Sequence, residues 1–316
     1  MSLTWLLRNH LESPAGDYLQ RRFSHPKRIT LNANKQFQWS GKLLPSTPYC
    51  PFGTLDLAIN YRIRYSFAIT PAQELLAWRG AFEHLAWNAG YDYVSYLGGP
   101  YTIHTMESFF EGLEATLKTL QPVGRTLERE EEQVLARYCF VLALFEEVDR
   151  SMSYRYSPLA FPRLRKNVDD FLAIPREEWI DDLCRLMKLF YEQFAHLLAL
   201  PHVVNPTFQG CSDIGPSEAD LIVDGCLITI KADVEERMRS VWLRHLAGCV
   251  LLDYDDLFHI NSVGTYLVRR GKLLRWPLDE FLRLLSGEAT ISISTLRNEF
   301  HTRCQQTCQL MCNELL

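Results

Sequence analysis

Two short apolar runs joined by Asp224-Gly225 constrain this chain more than any other feature. The stretch reads ADLIVDG and then CLITIKAD. Each run is too short for a stable helix and rich in β-branched residues. An Asp-Gly pair between two such runs predicts a tight hairpin. Asp220 then heads one strand and Lys231 ends the next. Alternate residues of a strand share a face, so residues 229 and 231 point the same way. An acid and a lysine on neighbouring strands can hold a divalent metal beside a phosphate ester. The place for a second carboxylate, two residues before the lysine, is filled by Thr229. A neutral hydroxyl is a poor ligand for a hard cation.

The surrounding chain changes period at Pro201. Before it, apolar residues recur at helical spacing, as at Leu55, Ile59, Ile63 and Phe67. Helices are expected at Leu3 to Leu11, at Leu55 to Phe67, from Thr70-Pro71 to about Gly90, at Glu107 to Leu120, from Thr126 to about Arg150, and at Glu177 to Leu200. QRRFSHPKR reads as a basic loop, and NKQFQWSGKLL as a strand or loop. After Pro201, HVVNPTF, the hairpin, VGTYLVRR and GKLLRWPL read as strands. Helices are expected at Val234 to Leu252, Leu278 to Leu285 and Ile293 to Leu315. The reading is an α-helical region over residues 1–175 and an α/β (α+β) core over 176–316.

Composition bounds the partners. The 316 residues are 47% hydrophobic and 22% charged, enough for one large or two modest cores. No apolar run reaches membrane-spanning length, and the early Arg8, His10 and Glu12 argue against a signal peptide. Nine scattered cysteines fit reduced thiols and a cytoplasmic location. With a net charge of -5, any nucleic-acid contact must come from a local patch. Arg237, Arg239 and Arg244 follow the lysine strand, and Arg269, Arg270, Lys272 and Arg275 lie on the last strand pair. Arg155, Arg163, Arg165 and Lys166 share a loop with Tyr154 and Tyr156. Such clusters can track a phosphate backbone.

The order helix, three strands, helix, strand, with Asp220 and Lys231 in these places, resembles the PD-(D/E)xK nuclease superfamily. The runs VVNPTFQGCSDIGPSEADLIVDGCLITIK and LRHLAGCVLLDYDDLFHINSVGTYLVRRGKLLRWPL are similar to a group of uncharacterised bacterial proteins within it. The resemblance implies a restriction-endonuclease-like core, DNA as partner, and Mg²⁺ or Mn²⁺ as cofactor. By it, Asp220 and the helical Glu192 are metal ligands, and Lys231 assists the attacking water. It implies metal-dependent phosphodiester hydrolysis, in anti-phage defence or DNA processing. Thr229 departs from the pattern. So do His245 and Cys249, where a related subgroup carries a Gln and a Tyr four apart. Two departures open the alternative of a catalytically inactive homologue, a nucleic-acid- or protein-binding subunit of a larger complex. A homo-oligomer is compatible with either. Asp213, Glu218, Asp224 and Asp233 are nearby acids that could replace the missing one.

Other constellations are bland. His301, Cys304, Cys308 and Cys312 line one helical face. Successive turns climb about 5.4 Å, so the four cannot close on one ion. There is no GxxxxGK[ST], GxSxG or HExxH.

Overall fold

The structure is a computed structural model that describes residues 3–39, 43–46, 51–86, 103–151, 157–160, 167–215, 219–232 and 238–314. In chain order the main helices of the first part are α1 (Leu3–Asn9), α2 (Pro14–Arg22), α3 (Lys27–Trp39), α4 (Phe52–Phe67), α5 (Ile103–Leu120), α6 (Arg129–Ser151) and α7 (Glu177–Phe194). Then come β1 (His202–Val204), β2 (Leu221–Val223), β3 (Cys226–Lys231), α8 (Ser240–Leu252), β4 (Ser262–Leu267) and β5 (Lys272–Pro277). The chain closes with α9 (Leu278–Ser286) and α10 (Ile293–Glu314). No described helix is long and apolar enough to cross a membrane.

Two compact units form, and they divide elsewhere than at residue 175. One comprises Met1–Leu43 with Leu200–Leu316, the other Leu44–Ala199. The first three helices therefore belong with the sheet, and α7 belongs to the helical unit. The reason is apolar packing. Leu3, Leu6, Leu7 and Leu19 join one buried cluster with Leu243, Leu246 and Val250 of α8. Gly248 makes the approach close, since a Cβ there would stand 2.8 Å from Leu3.

Local chemistry explains most elements. Ser13 caps α2 by accepting from the Gly16 N–H at 3.2 Å, and Pro14 fills the first turn. QRRFSHPKR is thus mostly helix end and helix start, and NKQFQW lies inside α3. The helix expected from Thr70 breaks up instead. It becomes a 3₁₀ turn at Ala72–Glu74, a short helix at Leu76–Arg79 and a π turn at Gly80–Ala86. A Cβ on Gly80 would lie 1.8 Å from the Phe145 carbonyl oxygen, so this glycine admits the backbone of α6. Asp224 and Gly225 both take positive φ (49° and 69°), as a two-residue hairpin turn demands.

The sheet has the order β1-β2-β3-β4-β5. β1 with β2, β2 with β3, and β4 with β5 are antiparallel; β3 with β4 is parallel. A parallel pair needs a crossover, and α8 supplies it. The fold is mixed α/β with an open mixed sheet and a majority of helix.

The helical unit is built around an aromatic cluster. Phe109 meets Phe145 and Phe171 edge-on, with centroids 5.2 and 5.8 Å away. Beside it, Arg62 is fully buried. Its guanidinium donates twice to Glu132 (2.6 and 2.7 Å) and once to Ser66 (2.9 Å).

Candidate functional site

Strand register decides what Asp220, Thr229 and Lys231 can do together. β2 pairs with β3 as Leu221↔Ile228, so one step further sets Asp220 against Thr229. The Asn205 N–H donates to the Asp220 carbonyl at 3.3 Å, so the Asp220 backbone faces β1. Asp220 and Thr229 then form a non-hydrogen-bonded pair, the closer kind, with side chains on one face. Lys231 shares that face by alternation. The hairpin thus brings the acid, the threonine and the lysine to the same side of the sheet.

The Asp220 carboxylate has a definite task in the fold. Its Oδ2 accepts the Ile230 N–H at 2.6 Å. β2 has ended by this point, and the carboxylate stands in for the next main-chain carbonyl of the ladder. Part of its acceptor capacity is therefore spent on β3.

Thr229 is 1% exposed and its hydroxyl has no hydrogen-bond partner. Across β3 and β4 it is in register with Thr265, which is 0% exposed and whose hydroxyl is also without a partner. Thr265 was not visible as a site residue in the sequence. Only the pairing of β4 against β3 selects it, and no local pattern encodes that pairing. The same face carries Leu227, Val263, Leu267 and Leu274, all in the buried cluster with α8.

The remaining predicted residues scatter. Glu192 lies in the helical unit, half-exposed, with Lys188 at 3.9 Å. Asp224 is exposed in the hairpin turn. Asp213 accepts from the Tyr254 hydroxyl at 2.9 Å and stands 3.6 Å from His301, which stacks on Tyr254 at 4.1 Å. It is thus engaged with α10. Burial pushes the neighbouring Cys304 thiol up to about 12, which keeps it protonated. Glu218, Asp233, Arg237 and the Arg155, Arg163, Arg165, Lys166 cluster with Tyr154 and Tyr156 lie outside the described residues. On α8, Cys249 Sγ is 3.8 Å from His245 Nδ1, a side-chain contact one turn apart.

The basic residues divide into buried and accessible ones. Arg269 is 1% exposed and its Nε donates to the Ala232 carbonyl at 3.1 Å, so it braces the end of β3 and is withdrawn from the candidate interface. Arg244 donates to the Phe23 carbonyl at 3.2 Å, and burial holds its pKa below the usual arginine value. It too serves packing. Arg239 is exposed, 5.5 Å over the Trp242 ring. Arg270 and Lys272 are partly exposed. Lys231 pairs with Leu267, and Leu267 with Lys272. The two lysines therefore share a face two strands apart, about 10 Å at the usual strand spacing.

A divalent ion does not fit the donors in this row. They are one carboxylate already accepting from the backbone, and two neutral hydroxyls. Among the described residues no three His, Cys, Asp or Glu side chains converge as metal ligands. Comparison of the chain with family models, with curated proteins and with solved structures returned no match.

Proposed function

We propose that this chain is a PD-(D/E)xK nuclease-like protein that engages DNA through the sheet end bearing Lys231 and Lys272, and that it binds without cutting. The order β1, β2, β3, α8, β4, with β3 and β4 parallel, supports the restriction-endonuclease-like reading. The single observation that carries the non-cutting form is the row Asp220, Thr229, Thr265. One carboxylate and two buried hydroxyls take the place of the paired acids that a Mg²⁺ centre requires. The chain then serves as a nucleic-acid-binding subunit, with anti-phage defence or DNA processing as the setting that the superfamily resemblance suggests. The shared face of Asp220 and Lys231 favours a second reading, an active Mg²⁺- or Mn²⁺-dependent deoxyribonuclease. That reading needs a carboxylate from outside this row.

The test measures binding and cleavage on the same samples. Single- and double-stranded DNA are titrated by fluorescence anisotropy at low salt, and plasmid is incubated with Mg²⁺ or Mn²⁺. The expected result is salt-sensitive binding, weakened several-fold by Lys231→Ala with Lys272→Ala, and no cleavage. Cleavage by the wild-type chain that Lys231→Ala abolishes would establish the active reading. Absence of DNA affinity at low salt would sink both.

A further inference from the structure

We infer that Thr229 and Thr265 share one internal water, held in the sheet row that Asp220 heads. Both hydroxyls are buried (1% and 0% exposed) beside Leu227, Val263 and Leu274 of the same face. Both lack a hydrogen-bond partner. A buried hydroxyl without a partner is costly, and two in register on adjacent strands double that cost. Across the parallel β3–β4 pair the two hydroxyls do not bond to each other. Adjacent strands stand about 4.8 Å apart, a spacing that one bridging water can span. Such a water needs two to four polar partners, and the Asp220 residue opposite Thr229 is the third polar group of the row. A water, not a divalent cation, suits this set: neutral hydroxyls donate and accept, whereas a hard cation wants several anionic oxygens. The hydrated pair gives Thr229 a role that a residue without a hydroxyl could not fill, and it ties β3 to β4 at the place of the missing acid. The inference stands on the row's register alone, so failure of DNA binding leaves it intact, and its own failure leaves the DNA reading intact.

A double-mutant cycle tests it with the isosteres Thr229→Val and Thr265→Val in the full chain. If the hydroxyls share a water, each single change strands that water and lowers the denaturation midpoint. The double variant is then no less stable than the worse single one. Additive effects overturn the proposal, and so does a rise in midpoint with each valine, which is the mark of hydroxyls that are truly orphaned. Should a valine variant fail to fold, the wild-type chain supplies the second measurement. A water-to-methyl NOE at the Thr229 and Thr265 γ-methyls is expected, with a residence long on the NMR timescale. Its absence from both methyls overturns the assignment.

Discussion

Two buried polar clusters, one in each unit, are satisfied in opposite ways. In the helical unit, fully buried Arg62 is met on all sides: a bidentate Glu132, the Ser66 hydroxyl, and the Tyr191 hydroxyl at 3.3 Å. Arg150 likewise closes on buried Glu146. In the sheet unit, the row beside Asp220 leaves two buried hydroxyls without a protein partner. A satisfied buried network fixes one packing arrangement; an unsatisfied row leaves room for something the chain itself does not supply. The contrast is one between these two clusters, since Tyr65 and Trp179 of the helical unit also bury a polar atom without a partner.

The sharpest way to break the comparison is to unpair the helical network. Arg62→Met leaves Glu132 charged and buried, and should cost on the order of 3–5 kcal/mol in denaturant unfolding. Adding Glu132→Leu should recover most of that loss. No recovery would mean that the pair matters for packing shape and not for charge.

A smaller effect is expected in the sheet. Thr229→Asp sets a second carboxylate against Asp220 and should lower stability by about 1–3 kcal/mol without metal, through like-charge repulsion and desolvation. Millimolar Mn²⁺ should then raise the midpoint of the variant while leaving the wild-type chain unmoved. An equal response from both chains would show that the row is not where the ion binds.

The smallest effect compares one carboxylate at two pH values. Burial raises the Glu147 carboxyl above the usual glutamate value, although the Thr54 hydroxyl donates to it at 2.7 Å. As pH rises, the unfolded chain releases this proton first, so the group's contribution to the fold is complete only below the ordinary glutamate pKa. That contribution is lost as pH climbs through the raised folded value. Glu147→Gln should therefore raise the unfolding free energy at about pH 8 by less than about 1 kcal/mol, and not at about pH 3.5. A gain that is the same at both values would exclude titration as its cause.

Much of the frame was legible in the residues. The Asp224-Gly225 turn needs two positive φ angles, and that dipeptide tolerates them, so the hairpin could be read directly. Helical spacing at Leu55, Ile59 and Ile63 likewise named α4, because period alone encodes a buried helix face. The split at Gly80 was not legible. It follows from the closeness of the Phe145 backbone, which no local pattern records. Nor was the burial of Arg269: an arginine in a basic run reads as surface until the Ala232 carbonyl is found beneath it.

The sequence by itself determined that an acid, a threonine and a lysine occupy one hairpin, since strand alternation and turn chemistry are local. Tertiary structure alone decided that Thr265 completes their row, that Glu192 belongs to the other unit, and which basic residues remain accessible. The physical reason is range. Backbone preference and side-chain period act over a few residues, whereas the parallel pairing of β3 with β4 is fixed by how α8 packs across the face they share.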